Sequence, residues 1–417
     1  MTTSIHDADA VRHGDRALLA HALGDARSRL LRLWQAYERA LGAARFEVRY
    51  LTELNPPLWE LGHVAWFEEY WIGRNPLRAH GVAADPDVAR AAPLLACADS
   101  LFHSGQVAHT RRWHLDLPDA RRALAYAAGV RQRTLALLAS TPEDDAHLYF
   151  FRLALHHEDM HAEAWVYMAQ TLGLSLEGTP EPLEPAASRA TGDWALPAHT
   201  HRLGSEPGGF VFDNELGAHD VALDAFSIDR APVSWARYLP FIEAGGYQDA
   251  QWWTPEGWAW RQSQGLNRPR YLSQAEDGAW QRACFGRWRP LQPEAPVLHL
   301  SWHEAQAWCR WAGRRLPAEA EWEAAAQRAT DEGQRFEWGQ VWEWTASRFA
   351  PYPGFEPHPY RDYSAPWFDG RPVLRGASFA TAPRLKSLRY RNYFPAERND
   401  LFAGFRSCAI EAPGQVP

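Results

Sequence analysis

The sequence is poor in cysteine and has no long hydrophobic run. Its cysteines are far apart and form no CxxC pair, so neither a disulfide framework nor a zinc ribbon is expected; they are Cys97, Cys284, Cys309 and Cys408. The N-terminal segment MTTSIHDADAVRHGDRALL contains no apolar signal core, and no other segment approaches the length of a membrane-spanning helix. A cytoplasmic protein without a membrane partner is therefore expected.

Runs of basic residues are also missing. The chain of 417 residues has a formal net charge of −8 and no Lys/Arg-rich stretch, so nucleic acid is not expected as a partner. The composition, 46% hydrophobic and 23% charged, is that of a globular protein, and the length exceeds one ordinary core. Two domains are expected. The 22 tryptophans indicate well-packed cores and aromatic-lined pockets.

The first part of the chain has the periodicity of helices. Pro56 and Pro57 are suited to start one of them, and Asp119 is suited to cap another. Four long helices joined in this way predict an up-and-down bundle. The predicted helices are Ala17–Leu41, Trp59–Ile72, Asp119–Leu138 and Tyr149–Leu172.

The texture of the sequence changes after the fourth predicted helix. Residues 177–200 are rich in Pro, Ala and Ser, as linkers are. Beyond them the chain has short apolar runs with scattered Gly and Trp, and helices are predicted at Trp302–Trp311 and Ala318–Gln327. The predicted organisation is an all-α domain over residues 1–176, a linker over 177–200 and a loop-rich α+β domain over 201–417.

The most informative pair of residues is His157 and His161. Four residues span just over one helical turn, so both imidazoles leave the same face, about 40° apart. Solvated or core-satisfied histidines would give the same spacing. The flanking residues are largely apolar, however, and a metal is one partner that serves two buried imidazoles at once. Glu163 lies about 200° round the helix from His161, so a hydrogen-bonding or capping role is expected for it rather than ligation.

The best candidate for a third ligand is His63, in the segment NPPLWELGHVAWFEEYW. A lone histidine on an apolar face is often a satisfied core residue, but the second and fourth helices of a bundle can present side chains into one cavity. Three histidines on an octahedral ion leave three positions open, which suits Fe(II) binding O2 and a substrate together. Zinc with three histidines and a water is compatible with the same ligands.

These segments occur together with a series of motifs in the second half of the chain. In order they are GGFVFDNE, FSIDRAPVSWARYLPFIEAGGY, SWHEAQAWCRWAGRRLPAEAEWEAAA, VWEWTASRF, VLRGASF and FAGFR. Over about residues 15–410 the chain resembles the ergothioneine-type sulfoxide synthases. These are non-heme iron enzymes that join a DinB-like four-helix bundle to a formylglycine-generating-enzyme-like domain, whose fold is related to C-type lectins. The resemblance implies that His63, His157 and His161 bind Fe(II).

The resemblance also implies roles in the second domain. The loop PYPGFEPHPYRDYSAPWF resembles the one that delivers a catalytic tyrosine to the iron, which makes Tyr360 the expected proton donor and Tyr363 the alternative. Without the resemblance, Tyr360 would be taken for a surface-loop residue. Tyr393 and Phe394, in YRNYF, are expected to line the substrate pocket. The RGASF segment is followed by none of the cysteines that formylglycine-generating enzymes use there, so that conversion is not expected.

Three departures concern the second substrate. Members that use γ-glutamylcysteine have an arginine-rich motif where this chain has Arg111 and Arg112 in a different frame, an aspartate at the position of Phe394, and a glutamine at that of Met160. The changes make the pocket less suited to a zwitterionic peptide. They resemble the selenoneine synthase branch. The expected reaction is O2-dependent joining of a selenosugar (1-seleno-N-acetylglucosamine) to the imidazole of hercynine (N-trimethylhistidine), with γ-glutamylcysteine or cysteine as the alternative donor. The expected substrate-binding residues are Met160, Tyr393, Phe394, Arg111 and Arg112.

Two other classes stay open. A zinc-dependent DinB-like thiol S-transferase would bind zinc and act without oxygen, but it leaves the second domain unexplained. A sugar-binding module would keep its binding after loss of all three histidines.

Overall fold

The computed structural model describes residues 4–42 and 46–410. As far as Leu172 its regular elements are helical, which confirms the predicted helical first domain. The α-helices of this part are α1 (Ala8–His13), α2 (Arg16–Leu41), α3 (Pro57–Glu68), α4 (Ala98–Phe102), α5 (Ala120–Leu138) and α6 (Asp145–Leu172).

The helix ends follow capping chemistry. The Asp119 side chain accepts from the Arg122 amide at 2.8 Å and caps α5, as predicted. Pro57 is the first residue of α3, and a π-helical turn at Glu69–Gly73 continues it. The prediction for α6 began too late, at Tyr149, because Asp144 caps the helix one turn earlier.

A buried ion network fixes how the four long helices pack. The carboxylate of Glu68, on α3, accepts from Arg27 on α2 at 2.9 Å and from Arg131 on α5 at 2.8 Å. Both guanidinium groups also bond Glu158 on α6, Arg27 at 2.7 Å and Arg131 at 2.5 Å. Two cations and two anions thus satisfy one another in the bundle core, and they set α3 against α6.

Removal of one anion from this network should be costly. Glu68→Ala leaves two buried guanidinium groups short of charge, and we expect a loss of about 3–5 kcal/mol in the free energy of unfolding, measured by urea denaturation. Glu206→Ala, which breaks an exposed and solvent-screened pair with Arg202, should change the free energy of unfolding little. Equal losses in the two variants would contradict a structural role for the network.

The network also predicts a pH dependence. Burial by itself would raise the pKa of Glu68, but Arg131 and Arg27 outweigh it and lower the pKa from 4.5 to about 2. A carboxyl whose pKa is lower in the folded state stabilises the fold fully above its unfolded pKa. The contribution of Glu68 should therefore be complete above pH 4.5 and disappear as the pH falls towards 2, and Glu68→Ala should flatten the acid limb of a stability–pH curve.

The second part of the chain combines short strands with four further α-helices among the described residues. These are α7 (Trp235–Glu243), α8 (Pro255–Ser263), α9 (Trp302–Trp311) and α10 (Glu319–Glu332). The strands are β1 (Asp193–Leu196), β2 (His199–Leu203), β3 (His219–Leu223), β4 (Phe226–Asp229), β5 (Leu272–Gln274), β6 (Trp280–Cys284), β7 (Arg287–Pro290), β8 (Arg314–Arg315), β9 (Trp342–Arg348), β10 (Pro372–Arg375), β11 (Asn392–Tyr393), β12 (Ala403–Gly404) and β13 (Cys408–Ala409).

The strands form small sheets. Two have four strands, in the orders β1-β4-β13-β8 and β11-β10-β9-β12. A two-stranded sheet, β2-β3, and a three-stranded sheet, β5-β6-β7, complete the set in the described residues. The predicted order, helical domain first and sheet-containing domain second, is confirmed. β1 lies inside the predicted linker 177–200 and pairs with β4, so the end of that segment belongs to a sheet. The boundaries proposed at 176 and 201 otherwise stay a prediction.

Helices α9 and α10 match the predicted segments. α9 has the predicted bounds, and Ser301 and Glu304 form a capping box at its start. α10 continues five residues beyond the predicted end, to Glu332, where Gly333 adopts the left-handed conformation that closes a helix.

α6 is one of the helices that pack against the second domain. Asp159 of α6 accepts two hydrogen bonds from Arg384, at 2.8 and 3.0 Å, and both side chains are buried. Arg12 of α1 forms a matching pair with Glu215, at 2.7 and 3.1 Å. These buried pairs hold the two domains together, and the Asp159–Arg384 pair lies on the helix that carries His157 and His161. Within the described ranges, no helix is both long enough and apolar enough to cross a membrane.

Candidate metal centre and active site

Three imidazoles converge between α3 and α6. One potential ligand atom each from His63, His157 and His161 lies within 4.8 Å of the others. The ring centroids are 4.4 Å apart for His157 and His161, and 4.9 and 5.1 Å from His63 to His161 and His157. The structure thus brings together the three residues that the sequence singled out. Their role as ligands stays a prediction.

His63 is oriented by its backbone and aromatic neighbours. Its Nδ1 donates to the Phe102 carbonyl at 2.8 Å, which leaves Nε2 available to a metal. Trp59 stacks on the ring with centroids 4.8 Å apart and planes at 8°. Burial, and then the nearby His161, lower the pKa of His63 from 6.5 to about 3. The imidazole is therefore neutral at physiological pH, the form that binds a metal.

His157 gives the clearest test of whether a metal fits. Its side chain is 2% exposed, and neither ring nitrogen has a hydrogen-bond partner among the described residues. Its ring stacks on Phe67, with centroids 3.5 Å apart and planes at 4°. Burial lowers the pKa of His157 well below its usual value, so protonation does not satisfy the ring either. Burying a polar group without a partner costs free energy, and a metal ion would offset that cost.

His161 is held by a relay of hydrogen bonds. Its Nδ1 donates to the carboxylate of Glu60 at 2.5 Å, and Asn55 Nδ2 donates to the other oxygen of Glu60 at 2.5 Å. Arg112 in turn donates to Asn55 Oδ1 at 2.7 Å. Burial would raise the pKa of Glu60, but His161 outweighs it and lowers the pKa to about 2. A buried carboxylate on the far nitrogen fixes the ring's orientation and makes it a stronger metal ligand.

The two arginines that the sequence singled out have different surroundings. Arg112 is half-buried, lies 3.9 Å from the centroid of the Trp59 ring and supports the relay, and Arg111 is exposed. Among the described residues, neither arginine lines the cavity of about 230 Å³ that lies beside His161. Their direct contact with substrate stays a prediction that this geometry does not favour.

Glu60 offers a test of the relay. Glu60→Gln keeps a hydrogen-bond acceptor for His161 but removes the negative charge, and we expect Fe(II) affinity to fall about 10–100-fold. The measurement is competition with a chelator under anaerobic conditions. Glu53→Gln, which changes a carboxylate paired with Arg270, is the control and should leave the affinity unchanged. Unaltered affinity in Glu60→Gln would remove the relay from the metal site.

Tyr360 lies against the cluster of three histidines. Its ring centroid is 6.1 Å from that of His157 and 4.8 Å from that of Phe67. Burial, with a smaller effect of Asp362, raises the pKa of Tyr360, so the phenol keeps its proton at neutral pH. The alternative, Tyr363, instead stacks on Phe212 with centroids 4.7 Å apart. The geometry favours Tyr360 as the group beside the cluster.

A cavity of about 230 Å³ opens beside His161. Met160 and Phe394 lie in its wall, and their contact with substrate stays a prediction. Tyr393 does not line it: residues alternate along an extended strand, so Asn392 and Phe394 face the cavity and Tyr393 packs on Phe349. The lining residues are Asn55, Glu60, Met160, His161, Glu163, Ala164, Tyr167, Trp342, Tyr390, Asn392, Phe394, Leu401 and Phe402.

Glu163 connects α6 to the second domain. It accepts from Trp342 Nε1 at 2.8 Å and from Ser378 Oγ at 2.6 Å. It lies outside the group of three converging histidines, in line with the expectation that it does not bind the same ion. It borders the cavity instead and helps to seal it between the domains.

Comparison with known proteins decides the family. The DinB superfamily model matches residues 22–170, and that of the sulfatase-modifying factor enzyme 1-like domain matches residues 183–340. A hercynine oxygenase of Mycolicibacterium smegmatis is 34% identical over 448 residues, covering 94% of this chain and 98% of that protein. The chain belongs to the hercynine oxygenase family. The Mycobacterium tuberculosis hercynine oxygenase is 32% identical, over 93% of this chain and 97% of its own length.

The domain matches confirm the predicted DinB-like and formylglycine-generating-enzyme-like domains of this hercynine oxygenase family member. A formylglycine-generating enzyme of Thermomonospora curvata is 35% identical over 164 residues, but these cover 36% of this chain and 53% of that enzyme. The likeness to hercynine oxygenases extends through both domains, whereas this one is partial. The selenoneine synthase branch stays a prediction.

Proposed function

We propose that this protein is a non-heme Fe(II), O2-dependent enzyme that joins the chalcogen of a second substrate to the imidazole of hercynine. One observation carries the proposal: three imidazoles converge next to a cavity between the domains, two of them buried and one of these without any hydrogen-bond partner among the described residues. The 34% identity to the Mycolicibacterium smegmatis hercynine oxygenase, over an alignment that covers 94% of this chain, supports hercynine as the substrate.

The three imidazoles would hold the metal. A set of three histidine ligands would leave other positions of the ion for both substrates and O2. Bound Fe(II) would supply activation of O2 and would bring the chalcogen close to the imidazole of hercynine.

The cavity beside His161 suits the cationic end of hercynine. A trimethylammonium group has no proton to donate, so aromatic faces and a nearby carboxylate are the groups that recognise it. Glu163 supplies the carboxylate. The aromatic wall consists of Tyr167, Trp342, Tyr390, Phe394 and Phe402.

The same lining supports a neutral donor. Among the residues that the structure describes, no lysine or arginine lines the cavity, so the two carboxylates of a γ-glutamyl peptide would lack a cationic partner there. Phe394 and Met160 add apolar surface. A selenosugar needs hydroxyl-directed hydrogen bonds, which the side chain of Asn392 can offer. We therefore propose 1-seleno-N-acetylglucosamine as the donor and formation of a C–Se bond.

The reaction balances with O2 as the oxidant. Joining the imidazole carbon to selenium removes the hydrogens of one C–H and one Se–H bond. O2 accepts four electrons, and one oxygen atom ends in the selenoxide and the other in water. Tyr360, neutral and held beside His157, would deliver a proton from its Oη as O2 is reduced.

The test uses the full chain, loaded with Fe(II) under anaerobic conditions and then exposed to air with hercynine and one donor. Mass spectrometry is expected to detect the coupled selenoxide with the selenosugar and much less product with γ-glutamylcysteine or cysteine. The reverse preference would assign C–S bond formation instead. Activity that requires zinc and proceeds without oxygen would assign a thiol S-transferase, since the three histidines suit that metal as well.

A further inference from the structure

A buried turn in the second domain holds the loop that carries Tyr360. The turn, Asp213–Glu215, belongs to the GGFVFDNE motif, and all three of its side chains are at most 2% exposed. We propose that this turn and Ser364 form a clamp that positions Tyr360 at the metal site. The inference rests on the proposed function, because Tyr360 is the proton donor there.

The clamp forms hydrogen bonds with the loop on both sides of Tyr360 in the sequence. On one side, Asp213 Oδ2 accepts from the His358 amide at 3.3 Å. On the other, the Ser364 hydroxyl donates to Asp213 Oδ1 and accepts from Asn214 Nδ2 at 3.0 Å. One short turn therefore fixes residues 358 and 364, and the tyrosine lies on the segment between them.

The turn is itself anchored to both domains. Glu215 pairs with Arg12 of the helical domain at 2.7 Å, and the Asn214 carbonyl accepts from Arg391 at 2.7 Å. Arg391 also pairs with Glu319 on α10, with two contacts of 3.0 Å. The position of the loop is thus fixed relative to the helical bundle that carries the histidines, although the turn and the loop are far apart in the sequence.

The hydrogen bonds of Asp213 and Ser364 are strong enough to hold the loop that carries Tyr360 in place. Burial raises the pKa of Asp213 to about 6, so the group is ionised at neutral pH and accepts charge-assisted hydrogen bonds. Ser364 is fully buried, and its hydroxyl has both a donor and an acceptor partner. Proton delivery is sensitive to small displacements, so a loosened loop would favour oxidation of the donor alone over coupling.

The test compares Ser364→Ala with Ser301→Ala. Ser301 is also buried, also makes two side-chain hydrogen bonds, and lies at the start of α9 in the same domain. We expect Ser364→Ala to lower kcat for coupled product about tenfold, with KM for hercynine and Fe(II) affinity unchanged and donor-only oxidation increased. Ser301→Ala should match it in lost stability but leave the product ratio as in the wild type. Asp213→Asn, which keeps the shape of the side chain, should change the ratio in the same direction.

Hydrogen exchange followed by mass spectrometry gives a readout that does not depend on turnover. Exchange of residues 358–364 should be faster in Ser364→Ala than in Ser301→Ala. If the wild type forms no coupled product, the proposed function fails and the exchange experiment still tests the clamp. Equal exchange in the two serine variants together with equal product ratios would overturn the clamp.

Discussion

His157→Ala is expected to abolish Fe(II) binding and coupled turnover together. His157 is a buried member of the three-histidine group, and neither of its nitrogens has a protein partner among the described residues. Loss of one of three ligands leaves two, which should not retain the metal through desalting. The measurements are the iron content after anaerobic reconstitution and gel filtration, and the product by mass spectrometry.

The adjacent His156 provides a matched control. It lies on the same helix, is equally buried, and also has two ring nitrogens without a described partner, but its ring contacts Phe210 and lies outside the three-histidine group. His156→Ala should lose stability yet bind one equivalent of iron. If His157→Ala binds a full equivalent, or if both variants lose iron equally, His157 is not a specific ligand.

Tyr360→Phe is expected to divert the reaction rather than to stop oxygen consumption. The substitution removes only the hydroxyl, so the ring can keep its contacts with Phe67 and Trp71. Without the phenolic proton we expect coupled product to fall at least about 100-fold, the lower end of what a general acid contributes, while donor-only oxidation continues. Both products are quantified by mass spectrometry against oxygen uptake.

Tyr363→Phe separates this effect from a general change in the loop. Tyr363 lies on the same loop but stacks on Phe212. It should retain the wild-type product ratio. A coupled yield in Tyr360→Phe equal to that of the wild type, or an equal defect in both variants, would remove Tyr360 as the proton donor.

The convergence of the three histidines could be predicted because its signal is local. His157 and His161 share a helix face at a spacing that the sequence shows directly, and His63 lies in an apolar segment where an imidazole is conspicuous. The start of helix α5 could also be predicted from the sequence, because the capping residue Asp119 marks where the helix begins. Such features depend on neighbours in the chain, and sequence reasoning finds them.

The groups that support the cluster depend on contacts between distant segments. Glu60 reaches His161 across the bundle, over a separation of 101 residues. Its only signal was an acidic residue one turn before His63 on an otherwise apolar helix. The contact of Asp213 with Ser364 spans 151 residues and had no local signal beyond its place in a recognised motif.

Tyr393 lies outside the wall of the cavity beside His161 for a simple physical reason, and its contact with substrate stays a prediction. Consecutive residues of an extended segment point to opposite sides, so Tyr393 and Phe394 could not both face one cavity. The backbone there pairs with β10 through Asn392 and Tyr393 and turns the amide of Asn392 towards the cavity side. Asn392 is adjacent to these residues in the sequence. The alternation of side chains along a strand would have predicted that Asn392 and Phe394 face the same side.

Anomalous diffraction at the iron edge, from crystals of the anaerobically Fe(II)-loaded protein, tests the metal site most directly. We expect one strong peak per chain, between α3 and α6, within coordination distance of one nitrogen each from His63, His157 and His161. A peak at any other position, or no peak at full iron loading with His63 turned away from the other two rings, would contradict the proposed chemistry.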